Sequence, residues 1–235
     1  SVSCESIFSK FIPDKLKVAS RDLTNLPLLE MLSKTKIPII ISTGMGDEKD
    51  LNNALEIIVK SHENISILHC LSQYPSEPEN INLNTIPFLI NKYPKFKIGY
   101  SDHSIGISTA VSAVALGAEI IEKHITLDRH MKGTDHLGSL GPRGLHNMVR
   151  DIRNLEKSLG NFDIIKSEHV LSARTKLERS IASKCFIPKN TVITEDMIKL
   201  LSPGDGYKWI ERNKIIGKVL KIDVQKNEII YPEYC

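Results

Sequence analysis

Two histidines in the stretch KIGYSDHSIGISTAVSAVALGAEIIEKHIT, residues 97–126, occupy matching places in successive repeats of one pattern. His103 directly follows the strand-like run Lys97–Asp102, and His124 lies at the end of the next such run, Glu119–Thr126, with one amphipathic helix between them. On neighbouring strands of a curled parallel sheet these imidazoles would meet near its axis. Two imidazoles with carboxylates close by are a donor set for a divalent cation that leaves coordination positions open for substrate oxygens. The other strand-like runs also close on polar groups. Ser20, Arg21 and Asp22 end the first, and Ser42, Thr43 and Gly44 the second. His69 and Cys70 end the third, with Ser72, Gln73 and Tyr74 beyond, and Ser101 and Asp102 precede His103. The fifth carries Glu122, Lys123 and His124, followed by Asp128, Asp135 and His136. Taken singly, a strand-end serine is ordinarily a helix cap and a lone histidine a satisfied core or surface residue. His62, His130, His146 and His169 are read in that way. A merely structural sheet does not need polar groups at every strand end. The loop STGMG offers hydroxyl and backbone N–H donors suited to phosphate, with a plain turn as the alternative.

The elements that must position these groups are short. Leu16–Ser20, Ile37–Thr43, Ile65–Cys70, Lys97–Asp102 and Glu119–Thr126 read as strands, separated by segments with apolar residues three and four apart. Strands alternating with helices predict βα units and a parallel sheet. In a barrel of that kind, chemistry gathers at the C-terminal strand ends. Pro142–Leu159 reads as a long amphipathic helix stopped by Gly160. Residues 161–180 are polar and read as a linker, and 181–235 as a separate small β-rich domain. Within it KNTVITEDM weakly echoes KNEIIYPEY.

Composition narrows the function classes. The 235 residues carry a net charge of +3 without a dense basic run, so no nucleic-acid or membrane partner is expected. The longest apolar runs, Ile37–Ser42 and Ala110–Ala118, are far too short to span a bilayer, and no signal peptide is visible. Four scattered cysteines without C-x-x-C spacing point to a reduced, cytoplasmic protein. The first residue is Ser1, which raises the expectation that the chain is a piece of something longer.

These motifs resemble the sialic acid synthase family, which comprises N-acetylneuraminate synthase and its legionaminate and pseudaminate relatives. The matching stretches are KVASRDLTNLPLL (17–29), KIPIIISTGM (36–45), ILHCLSQYP (67–75), KIGYSDHSIGI (97–107), AVALGAEIIEKHITLDRHMKGTDH (113–136) and MVRDIRNLEKSLG (148–160). SIASKCFIPKNTVITEDMI and IIGKVL are similar to the antifreeze-like, or SAF, domain of the same enzymes. The resemblance implies an α/β fold, a (β/α)8 TIM barrel with a small β-clip domain. Only about strands four to eight of that barrel are expected in 1–160, and the family's N-H-x-G and K-F-Q motifs are absent.

The implied reaction condenses phosphoenolpyruvate with N-acetylmannosamine or a related 2-acylamino hexose, giving a nine-carbon 2-keto acid and phosphate. His103 and His124 match the family's metal ligands, for Mn2+ or Mg2+. Lys17, Ser20, Ser42 and Ser101 match positions that bind phosphoenolpyruvate. Tyr74 and Asp135, assisted by Gln73, match sugar contacts. Asp22 stands where many relatives have Glu, as the carboxylate that steers water or a proton. Lys123 is expected to pair with an acid. Family practice implies a domain-swapped homodimer in which an Arg of the small domain binds the partner's sugar. Here Ser202 replaces that Arg, and a hydroxyl cannot copy a guanidinium fork; Lys199 or Lys208 would have to substitute, or the sugar differs. The competing readings are a non-catalytic assembly module and a synthase for another keto-sugar acid.

Overall fold

In the computed structural model, which describes Phe8, residues 10–165 and residues 167–235, the chain divides into two compact units at Asn161/Phe162. Cys4 lies outside the described residues. The first unit holds five parallel strands in sequential order: β1 (Leu16–Val18), β2 (Ile39–Ser42), β3 (Ile65–Cys70), β4 (Lys97–Asp102) and β5 (Ile120–Lys123). Each is followed by helix, namely α1 (Leu26–Lys34), α2 (Glu48–Ile58), α3 (Pro78–Ile81) with α4 (Thr85–Lys92), α5 (Ser108–Ala115) and α6 (Pro142–Ser158).

Local chemistry accounts for these boundaries. Asn25 caps α1, its side chain accepting from the Leu28 N–H, with Pro27 in the first turn. Asp47 and Asp50 form a reciprocal capping box at α2. Leu29, Leu32, Leu51, Leu55, Ile58, Ile86 and Leu89 pack onto Ile39, Ile41, Ile65, Ile67 and Ile98 in one core. Burying each such side chain contributes about 1.5–3 kcal/mol.

The strand expected to run to Thr126 ends at Lys123. Beyond it, the His124 carbonyl accepts from the Leu140 N–H at 2.9 Å, and the Thr126 N–H donates back to the Leu140 carbonyl. The returning loop thus takes the place of a further strand. The sheet is also curled. Lys17 of β1 and Glu122 of β5, on its two outermost strands, lie 3.4 Å apart (Nζ–Oε2). The result is a parallel half barrel with its polar strand ends gathered inside.

The second unit begins inside the stretch read as a linker. That stretch contains a 3-10 turn (Glu168–Val170) and α7 (Leu171–Leu177). β6 (Ser180–Ser183) and β7 (Ile198–Leu201) pair antiparallel, and single bridges such as Ile187↔Val224 extend the β structure. Its own core contains Ile181, Ile187, Ile193, Ile198, Ile215, Leu220, Val224 and Ile230. The KN echo has a conformational basis. Asn190 and Asn227 both sit at positive φ, 67° and 72°, where Asn is among the few side chains that fit readily. Among the described residues no helix is long and apolar enough to cross a membrane.

Candidate active site

β4 and β5 are paired so that Ser101 faces Glu122 and Asp102 faces Lys123. The histidines come next in each chain, and their ring centroids lie 5.2 Å apart, edge to face. Tyr74 covers both, at 4.1 Å from His103 and 5.8 Å from His124. Asp135 reaches His124 from the loop beyond β5, 3.8 Å from Oδ2 to Nδ1. These four residues, with Pro75, Asp102, Ile105, Thr134, Leu137 and Gly138, line a cavity of about 80 Å³.

His103 Nδ1 lies 2.8 Å from the Leu71 carbonyl. A carbonyl only accepts, so this contact places the ring proton on Nδ1 and leaves the Nε2 lone pair free. A backbone partner of this sort is what orients a metal-binding imidazole. Burial lowers the proton affinity of His103, but its hydrogen bonds with Cys70 and the Leu71 carbonyl outweigh that, leaving the imidazole above its ordinary value. Burial likewise raises the Cys70 thiol, and hydrogen bonds with His103, Ser20 and Ser101 bring it below its ordinary value. Among the described residues no three His, Cys, Asp or Glu side chains converge into a closed cation cage. The donor set is an open one: two imidazoles with a carboxylate beside them.

A hydroxyl-lined corner adjoins the imidazoles through Cys70. The Ser20 hydroxyl accepts from the Gly44 N–H at 3.0 Å and contacts Cys70 Sγ at 3.5 Å. A Cβ on Gly44 would stand 2.6 Å from Ser72 Oγ, 2.7 Å from Cys70 Sγ and 2.9 Å from Ser20 Oγ, so any larger residue there would push these side chains aside. Ser42 Oγ and Ser72 Oγ are buried without any hydrogen-bond partner. Buried hydroxyls are nearly always bonded, and orphans mark a missing partner. On the other side Ser101 donates to Glu122 at 2.6 Å, and Glu122 holds Lys17. Lys17 therefore brings a cation, and the serines bring donors, to the strand ends.

Two of the expected site residues also make local contacts. Asp22 accepts from Asn25 Nδ2 at 3.1 Å and lies 3.6 Å from Arg21 Nε, on the 3-10 turn after β1. Gln73 Oε1 accepts from the Glu77 N–H at 3.2 Å, holding the start of α3. His69, although at a strand end, spends Nε2 on the Ile81 carbonyl at 2.7 Å. Three residues that sequence reasoning left without a role are central to the geometry, namely Ser72, Cys70 and Glu122. Strand parity could have found Glu122, because residues two apart share a face and His124 was already singled out. No such signal marks Ser72, which lies in a loop. In the second unit Ser202 Oγ donates to the Leu177 carbonyl at 3.0 Å. Lys199 is bonded to Asn227, and Lys208 to Gly204 and Glu178.

Comparison with known families matches residues 4–163 to the NeuB family and residues 178–233 to the SAF domain. The chain is 36% identical to the human N-acetylneuraminate-9-phosphate synthase, over 92% of this chain and 61% of that protein. It is 33% identical to the N,N'-diacetyllegionaminic acid synthase of Legionella pneumophila, over 94% of this chain and 63% of that protein. It superposes on the crystal structure of the N-acetylneuraminic acid synthetase of Leptospira borgpetersenii with a TM-score of 0.68 and 35% identity, covering 74% of this chain and 60% of that one. The chain thus spans about half to two thirds of the length of the curated relatives it matches. With its half barrel and SAF domain, the chain belongs to the NeuB family of sialic acid synthases.

Proposed function

We propose that this chain contributes the metal and phosphoenolpyruvate sites of a synthase that condenses phosphoenolpyruvate with N-acetylmannosamine or a related 2-acylamino hexose. The products are a nine-carbon keto-sugar acid, of N-acetylneuraminate or legionaminate type, and phosphate. One observation carries the reading. Two buried, unpartnered hydroxyls, Ser42 at the end of β2 and Ser72 beside Gly44, lie at the C-terminal strand ends of the same sheet whose β4 and β5 are followed by the two imidazoles. Synthases for these sugar acids are among the proteins it is similar to.

In this reading Lys17, Ser20, Ser42, Ser72 and Ser101 hold the phosphate and carboxylate of phosphoenolpyruvate through charge-assisted hydrogen bonds. That leaves C3 of the enol free to attack. Tyr74 and Asp135, with the amide of Gln73, orient the open-chain sugar so that its aldehyde faces C3. A C–C bond forms there, water adds at C2, and the C2–O bond to phosphate breaks. Asp22 steers the water or takes its proton.

His103 and His124 are the residues that would hold a divalent cation, Mn2+ or Mg2+. Bound there, the ion would supply Lewis-acid polarisation of the sugar aldehyde. A cation held there would compete with a proton on His103, so its affinity would rise with pH. The family resemblance adds a domain-swapped homodimer to this reading. A different keto-sugar acid is the second possibility, favoured by the engagement of Ser202 with Leu177 in place of an arginine free to bind an acyl group.

The test is phosphate release from phosphoenolpyruvate, Mn2+ and each candidate sugar, using the chain within a polypeptide of its relatives' full length. Release should depend on the sugar, vanish in chelator and fall about a hundredfold or more in His103→Ala or His124→Ala. Release that survives both substitutions overturns the reading. The chain of 235 residues assayed alone should turn over little or not at all.

A further inference from the structure

Behind the two imidazoles, on the side of the sheet that faces α5, lies a group that the reaction does not use. Asp102 and Lys123 are register partners on β4 and β5. Their side chains are 0% and 3% exposed and meet at 2.7 Å. Asp102 accepts further hydrogen bonds from Tyr100 Oη at 3.2 Å, the Ser104 N–H at 2.8 Å and Thr109 Oγ1 at 3.0 Å. Lys123 also donates to the Ser104 carbonyl.

Stability alone does not explain this pair. Removing two charges from water costs about as much as their attraction returns, and well-packed apolar residues commonly do as well. Placement is what distinguishes it. His103 is bracketed by residues 102 and 104. The first is the acid itself, and the second is held by the acid through its N–H and by the lysine through its carbonyl. His124 is the residue directly after Lys123. One ion pair therefore fixes the backbone on both sides of one imidazole and next to the other. Alternation along each strand turns the Asp102 and Lys123 side chains away from the face that Ser101 and Glu122 share, although Asp102 still borders the cavity that the histidines line.

We propose that the Asp102–Lys123 pair is a positioning clamp. It acts on the separation and mutual angle of His103 and His124, and through them on cation affinity, without touching the cation. The affinity part rests on reading the histidines as a cation site; the geometric part does not. Groups behind metal ligands commonly change affinity by about 10–100-fold when removed.

The experiment compares the wild-type chain with the double variant Asp102→Asn/Lys123→Met, which removes both charges at similar volume. The single Lys123→Met would strand a buried carboxylate, so it serves only as the unfolding control. Three quantities are read: the melting temperature, the ring-proton NOE between His103 and His124, and Mn2+ affinity by calorimetry, with His103→Ala as the ligand control. The clamp predicts a double variant that melts within a few degrees of wild type, loses the inter-ring NOE and binds Mn2+ about tenfold or more weakly. A folded double variant that keeps the NOE and binds Mn2+ within about twofold of wild type overturns it. If wild type binds no Mn2+, or His103→Ala binds it unchanged, the cation reading fails. The NOE then decides the clamp alone, its loss supporting the clamp and its retention overturning it.

Discussion

At the corner where Ser20, Gly44, Cys70 and Ser72 crowd together, hydroxyl groups have been buried without partners. Ser42 is 1% exposed and its Oγ has no hydrogen bond, as is also true of Ser72 Oγ. Leaving a buried donor unsatisfied costs about 1–3 kcal/mol. If that cost exists to receive a ligand, stability and binding should move in opposite directions on its removal. Ser42→Ala is expected to leave the chain as stable as wild type or up to about 1 kcal/mol more stable, because an unsatisfied group disappears. Phosphoenolpyruvate affinity should fall about tenfold, the equivalent of one lost hydrogen bond. Urea denaturation and calorimetry measure the two effects; a loss of stability with unchanged binding would mark Ser42 as a structural residue. The serine's position at a strand end was plain in the sequence. Its lack of a partner was not, because every neighbour that could have bonded it comes from elsewhere in the chain.

Between elements, His69 has a different task from His103 and His124. Its ring stacks on Tyr100 at 5.7 Å between centroids, and its Nε2–H docks the end of α3 through the Ile81 carbonyl. Burial lowers its proton affinity, and the bond to Ile81 only partly offsets this. The unfolded chain takes up a proton that the folded chain resists. Stability from His69 is therefore present above the ordinary imidazole value and is lost as pH falls through it towards the lowered folded value. Half-buried His62 has the same sign, and His103, raised in the folded state, has the opposite one. The difference between variants isolates His69. His69→Gln retains a donor for Ile81 but does not titrate. Between about pH 7.5 and about pH 5.5 its melting temperature should fall less than that of wild type. Parallel curves would show that His69 is not buried neutral. Alternation of β and α was legible from apolar spacing, as was the strand-end position of His69. Which strand-end polar group faces the axis and which faces a helix was decided by strand parity.

For the molecule as a whole, the division at Asn161/Phe162 separates two cores with distinct residues. Eight buried aliphatic side chains, from Ile181 to Ile230, cluster as the core of the second unit. It also contains α7, whose Thr175 carbonyl accepts from the Gly204 N–H at 2.7 Å. A unit with its own core folds as a unit. Residues 162–235 expressed alone should melt cooperatively, and residues 181–235, lacking α7, should be less stable by about 1–3 kcal/mol. Non-cooperative melting of the longer piece, or equal stability of the two, would show that α7 is a tether only.

Local signals in the sequence determined the parallel βα pattern, the strand ends rich in polar groups, the helix caps and the glycine- and asparagine-bearing turns. Each depends on residues within one turn or one strand. The motif set also identified the family. Tertiary structure decided what required distant residues to meet. It set the 5.2 Å approach of two imidazoles on separate strands and the curl that brings Lys17 to Glu122. It placed the hydroxyls of Ser20 and Ser72 around Gly44, and it buried Asp102 against Lys123. Apolar period specifies which face of an element is buried. The side chains that then converge depend on register and curl, which are properties of the packed sheet and not of any single stretch of chain.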